Sequence, residues 1–348
     1  MRLRHELQRS QREWLKRACM ADIGADVFYT AYGLGVRSAL PLPDLSPREG
    51  DGPCDVVIRF GSLRSSASSL LERCIPSPVR SGLRRYYEKG RACLVYEEGI
   101  TILIESGRVV VVEAAPDVRE DVQEDVQEDV REAVLQFYIL TDVLPILLHQ
   151  RGLFLLHGSA VGIGGSGVLF LGGSGWGKST LVAALYRRGH VLITDDVAAL
   201  TWNGSDRTNI LPAFPRLKLW PEALIALGER PDPLPRLHPE IEKRTQAVDR
   251  FASAGLPVTQ IYILAEGDET AITPLMGQEA FIALTTHSFM LRILAETEGT
   301  VSHFRQCEAV AARTPLFRLT RPRTFAALPD VAQQIEAQVA AHSSSHAA

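Results

Sequence analysis

The chain has 348 residues, 46% of them hydrophobic and 22% charged, a globular mixture long enough for two domains. A net charge of −4 and a pI near 6.2 exclude a global attraction to nucleic acid or anionic lipid. Five cysteines without a CxxC pair (Cys19, Cys54, Cys74, Cys93, Cys307) argue against a disulfide framework or a zinc site and point to a reducing cytoplasm.

Residues 1–24 are basic and hold no apolar core of signal-peptide length. Leu3, Leu7 and Trp14 near one stripe predict an exposed helix. From 25 to 116, β-branched runs such as "DVVIRF", "ACLVYEEG" and "ITILIESGRVVVVEA" predict a β-rich accessory domain, with Ser106-Gly107 as the turn of a hairpin. Residues 117–150 open with "DVREDVQEDVQEDVREAV", in which valine recurs every four residues among acids. We read this as an acidic linker leading into an apolar helix near His149. The run "AVLQFYILTDVLPILLHQ" is interrupted by Asp142 and Pro145, so no membrane span is expected.

From 151 to 340 the pattern becomes strand, loop, helix, strand, which predicts an α/β nucleotide-binding core. Gly172-Gly173-Ser174-Gly175-Trp176-Gly177-Lys178-Ser179 fits G-x-x-x-x-G-K-[ST] in full, between an apolar run and a helix that includes Thr180. Glycines there let successive backbone N–H groups turn toward a polyphosphate, and the helix adds its positive end. Lys178 would neutralise the β- and γ-phosphates, and Ser179 would offer a hydroxyl to Mg²⁺. Asp195-Asp196 follows the short run "HVLIT". Adjacent carboxylates allow one to hold metal while the other accepts the proton of an attacking hydroxyl, provided the strand ends there. The working assignment makes Asp195 the base and Asp196 the metal ligand; the residues leave the order open. His157 ends the preceding strand, where it either carries positive charge toward phosphate or holds a catalytic Asp.

Downstream, the Pro-rich segment Leu211 to Pro239 reads as a long loop with a short helix at "PEALIALG". "VTQIYILAEG" reads as a strand, Glu279 to Glu296 as helical, and Val331 to Val339 as a final helix. Residues 341–348 read as a disordered tail.

The order "LHG", "GVLFLGGSGWGKST", "RRGHVLITDD" resembles the catalytic domain of HPr kinase/phosphorylase from His157 to Asp196. The resemblance implies a fold of the HPr kinase and phosphoenolpyruvate carboxykinase type, with ATP, Mg²⁺ and transfer to a protein serine. That family's downstream metal-binding Glu, in an "EIRGLG"-type motif, has no match here. The segments "YTAYGLGVRSALPLPDL", "PAFPRLKLWPEALIALG", "RTQAVDRFASAGLPVTQIYIL" and "TPLFRLTRPRTFAAL" are instead similar to HPr-kinase-like proteins of lasso-peptide pathways. That likeness implies a precursor peptide as partner, phosphorylated on its C-terminal serine, and leaves a homo-oligomer open. Arg216 and Lys218, and Arg321 and Arg323, sit beside prolines in loop-like segments and are candidates to hold phosphate or a substrate carboxylate. Glu222 is a candidate replacement for the absent metal-binding Glu, or a charge at a helix N-terminus.

Overall fold

The expected hairpin at Ser106-Gly107 is present. Both residues take positive φ (52° and 63°) in a turn closed by the Arg108 N–H donating to the Glu105 carbonyl at 3.0 Å, and Glu105 pairs with Val109 across the three-residue loop. The computed structural model describes residues 26–50, 52–63, 68–76, 82–88, 90–97, 99–114, 128–202, 207–238, 240–289 and 300–346. The N-terminal basic segment and most of the valine repeat lie outside these residues.

The described chain forms two units, each mixed in α and β structure. The first takes the residues up to Gly152 except Ala31–Gly33, and the second takes those three and the chain from Leu153.

Nine strands build the first unit: β1 (Val27–Ala31), β2 (Leu34–Ser38), β3 (Ser46–Pro47), β4 (Val56–Phe60), β5 (Ile75–Pro76), β6 (Leu83–Glu88), β7 (Arg91–Tyr96), β8 (Ile100–Glu105) and β9 (Val109–Ala114). They lie in the order β3-β1-β2-β4-β9-β8-β7-β6-β5. The helices expected to end a linker belong to this unit instead. Glu128–Tyr138 passes through a π-helical turn, Ile139–Val143, into Leu144–Gln150. The wide turn comes just before Pro145, which has no N–H to offer the helix. Tyr138 stacks on Tyr96 at 3.9 Å, and the Tyr96 hydroxyl donates to Asp142 at 3.0 Å. By length and composition Glu132–Gln150 is apolar enough to cross a membrane, but 61% of that window is buried inside the protein. An apolar face covered by a sheet explains the composition equally well.

In the second unit an eight-stranded sheet runs β11-β10-β13-β14-β18-β20-β19, with β12 also on β10 and β11 also on β18. Its members are β10 (Phe154–Ile163), β11 (Ser166–Leu171), β12 (Val191–Thr194), β13 (Val197–Thr201), β14 (Asn209–Ile210), β18 (Leu256–Glu266), β19 (Ala271–Leu275) and β20 (Leu316–Arg321). Strands β11, β18 and β20 are mutually parallel, so their carboxyl ends share one edge. Helices Lys178–Arg187 and Leu328–His346 contribute Leu181, Leu185, Val331 and Ile335 to a core with Phe170 and Tyr262. All of these side chains are fully buried, as expected for parallel strands covered by helices.

Two expectations change here. The Pro-rich segment holds a separate three-stranded sheet, β15-β17-β16, made of β15 (Arg216–Leu219), β16 (Arg236–His238) and β17 (Ile241–Ala247). Of its prolines, Pro212, Pro215 and Pro221 flank edge strand β15 rather than interrupt it, so no ladder bond of that strand is lost. The last helix runs to His346, where a disordered tail was expected from 341; it is anchored by Val331, Ile335 and Val339 and continues through Ala340 and Ala341 beyond them.

Candidate phosphoryl-transfer site

The glycine-rich loop joins the carboxyl end of β11 to helix Lys178–Arg187, at the shared edge of the parallel strands where α/β sheets bind ligands. Gly175 and Gly177 take φ of 78° and 77°, a backbone that side chains rarely adopt. Gly173 is required for a different reason. A Cβ there would lie 2.8 Å from the Trp176 ring, which rests on the loop. Lys178 is buried. Its Nζ folds back to donate to the carbonyls of Gly172 (2.8 Å) and Gly173 (3.0 Å). Burial pulls its ammonium below the ordinary lysine range, against the opposing charges of Asp196 and Asp195.

The Asp pair sits where a strand breaks. β12 and β13 both run antiparallel to β10, Ala160 opposite Thr194 and His157 opposite Val197, so they form one long strand kinked at Asp195-Asp196. Asp196 makes the kink with φ of 83°, a left-handed conformation that Asp tolerates better than most residues. Across the kink the Gly158 N–H donates to the Asp196 carbonyl at 3.2 Å. Gly158 has no room for a side chain, since a Cβ would lie 2.9 Å from the Phe170 carbonyl oxygen. The two carboxylates therefore face different surroundings.

Asp195 is enclosed by donors. Oδ1 accepts from Ser159 Oγ (2.6 Å) and Ser179 Oγ (2.7 Å), and Oδ2 accepts from the Lys218 N–H (2.9 Å). Burial and the Asp196 charge push its carboxyl above the usual range, while these hydrogen bonds oppose the rise. Asp196 instead lines the cleft and pairs with Lys218 Nζ at 3.0 Å. Burial pushes its carboxyl up, but the charges of Lys218 and Lys243 outweigh burial and hold it below the usual range. Asp195 is thus held by two serine hydroxyls and a backbone N–H, whereas Asp196 faces the cleft.

His157 lies within β10 rather than at its end, where β10 changes partner from β13 to β12. Burial, then the Lys178 charge, lowers its imidazole to about 4, so it is neutral near pH 7. Of the two expected roles, that burial disfavours a positive charge toward phosphate and suits a neutral group beside Asp196.

A cleft of about 410 Å³ joins these groups, lined by His157, the loop from Ser174 to Thr180, Asp196, Lys218, Glu222 and the C-terminal Arg321 and Arg323. Lys243 of β17 and Ser159 behind Asp195 were not found from sequence: Lys243 is one of several polar residues in "IEKRTQA", and Ser159 follows "LHG" with no spacing that marks it. Five cations line the cleft (Lys178, Lys218, Lys243, Arg321, Arg323) against two carboxylates (Asp196, Glu222), which suits an anionic ligand. A divalent cation also fits. Ser179 and Asp195 are hard oxygen donors side by side. Among the described residues no group of three His, Cys, Asp or Glu could hold a metal alone, so phosphate and water oxygens would complete its shell.

The arginines differ from expectation. Arg321 is buried at the end of β20, and it donates to the Trp176 carbonyl at 2.6 Å. Arg323 donates to the Gly175 carbonyl at 2.9 Å and lies 5.3 Å from the centre of the Trp176 ring. They strap the glycine-rich loop to β20. Arg216 is on β15 but is not among the residues lining the cleft. Of the four candidate cations, Lys218, Arg321 and Arg323 line the cleft. The "RGH" stretch is structural too. Gly189 (φ 104°) ends the loop helix, and Arg188 and His190 both grip Glu336 of the last helix, at 2.6 to 2.8 Å.

Residues 153–210, from β10 to β14, match the HPr Serine kinase C-terminal domain family. The HPr kinase/phosphorylase of Prosthecochloris aestuarii is 41% identical over 69 residues, 20% of this chain and 20% of that protein. That of Chlorobium limicola is 44% identical over 69 residues, 19% of this chain and 20% of that protein. The alignments thus span about a fifth of the length of these relatives. The solved Hpr(Ser) kinase/phosphatase from Coxiella burnetii is 17% identical with a TM-score of 0.33, covering 56% of this chain and 99% of that one. The resemblance to HPr kinase/phosphorylase holds in the segment that supplies His157, the glycine-rich loop and the Asp pair.

Proposed function

We propose that the protein is an ATP-dependent kinase that transfers the γ-phosphoryl group to a serine hydroxyl of a peptide. One observation carries this reading. Asp196, beside a neutral His157, faces the same cleft as Lys178 and the glycine-rich loop. A nucleotide sensor needs the loop but has no use for a carboxylate aimed at an acceptor. In this reading Lys178 meets the terminal phosphates and Asp196 takes the acceptor's proton. Ser179 and Asp195 would hold Mg²⁺, which supplies charge neutralisation at the phosphates when bound.

The resemblance to the lasso-peptide subgroup supports a precursor peptide with a C-terminal serine as the acceptor, and a cytoplasmic setting with it. The test is incubation with Mg·ATP and candidate peptides, read by intact mass. Gain of one phosphoryl group on a serine is the expected result. Phosphorylation of a sugar or free amino acid, with no peptide modified, would overturn the peptide reading.

A further inference from the structure

Lys218 and Lys243 stand on the same face of one small sheet. Lys218 is opposite Thr245 in the β15–β17 register, and Lys243 lies two residues before Thr245 on β17. Residues two apart on a strand share a face, so the two lysines are diagonal cross-strand neighbours. Like charges so placed repel unless an anion lies between them. Asp196 supplies one, at 3.0 Å from Lys218 Nζ. Lys218 is almost fully enclosed, with 3% of its side chain exposed, and so is fixed on that carboxylate. Lys243 lines the cleft and forms no ion pair with a carboxylate among the described residues; Trp220 is its neighbour, at 5.9 Å from the ring centre. Its charge is felt at Asp196, His157 and Lys178 alike, which places it where the loop and the Asp pair converge.

We propose that Lys243 is a catalytic residue that holds the phosphoryl group in transfer, with Lys218 positioning Asp196 beside it. This rests on the kinase reading above and goes beyond it, by assigning a role in transfer to a lysine on a separate sheet. In the step, the acceptor oxygen bonds phosphorus and its proton passes to Asp196. The P–O bond to the leaving diphosphate breaks with its electron pair retained by ADP. Negative charge spreads over the equatorial oxygens meanwhile, and an ammonium preorganised there stabilises it.

Lys243→Met and the milder Lys243→Gln, both on a half-buried strand, test the assignment by binding and by rate. Calorimetric titration with Mg·ADP and with Mg·AMP-PNP measures the preference for a γ-phosphoryl group without any acceptor. Each variant should bind Mg·ADP within about threefold of the parent and lose about tenfold or more of the preference for Mg·AMP-PNP. With acceptor present, kcat should fall about a hundredfold while KM for the acceptor changes little, and Lys243→Arg should recover part of the rate. An unchanged AMP-PNP preference in both variants would overturn the proposal. If the parent protein phosphorylates no peptide, the kinase reading fails while the binding comparison still decides the role of Lys243.

Discussion

Replacing each Asp of the pair by Asn separates chemistry from binding, because the two carboxylates have different neighbours. On the kinase reading, Asp196→Asn removes the cleft-facing proton acceptor. Loss of a general base is worth about 10² to 10⁴ in rate, or about 3–5 kcal/mol of barrier. The change also leaves the enclosed Lys218 ammonium with a neutral partner. Full removal of one member of a buried pair costs about 3–5 kcal/mol. Here Asp196 is 28% exposed and Asn keeps a carbonyl acceptor, so a loss nearer 1–2 kcal/mol is expected. A polyphosphate restores an anion beside Lys218, so nucleotide affinity should hold or rise.

Asp195→Asn should behave in the opposite way. Three donors converge on Asp195, and an amide can accept from only part of them, at a cost of about 1–3 kcal/mol for a buried polar group left unpaired. The variant should melt several degrees lower and lose Mg²⁺-dependent nucleotide affinity. Titration of Mg·AMP-PNP and single-turnover transfer to an acceptor peptide, each on both variants, distinguish the cases. If Asp196→Asn weakens metal-dependent binding while Asp195→Asn binds normally but cannot transfer, the roles derived from the geometry are reversed.

Two other outcomes follow from the electrostatics. Arg188, with His190, lowers the Glu336 carboxyl to about 2, so its stabilising contribution is present above the ordinary glutamate pKa and is lost as pH falls toward 2. Glu336→Gln should therefore destabilise at pH 7 by on the order of 1 kcal/mol, given solvent screening, with the difference from the parent shrinking below pH 4.5 and phosphoryl transfer little changed. His157, lowered to about 4, should keep the NMR signature of a neutral imidazole from pH 7.5 to 5, and a midpoint near 6.5 would contradict the burial described here.

What was legible in the sequence was local. The glycine-rich loop announces itself because each of its residues answers to a backbone or phosphate constraint within one turn. The Asp pair was readable for a related reason: two adjacent carboxylates after a short apolar run require the strand to break, and Asp196 breaks it with positive φ. The roles of the pair were not readable. They depend on Ser159, 36 residues away, and on Lys218, 22 residues away, which fix what each carboxylate meets. The arginines were found for their proximity to proline, yet their partners are loop carbonyls more than 140 residues distant. Lys243 gave no signal at all, because a lysine in "IEKRTQA" is an ordinary solvated residue until the register of β15 on β17 is known. The motif thus marks the glycine-rich loop, whereas Lys218 and Lys243 of the same cleft come from a sheet the proline-rich sequence conceals. This division also accounts for where similarity to the HPr kinases lies. Residues 153–210 carry the loop and the Asp pair, and Lys218 and Lys243 fall beyond them. On the kinase reading, differences in acceptor choice from those relatives would map to β15 and β17, and nucleotide contacts to the matched segment.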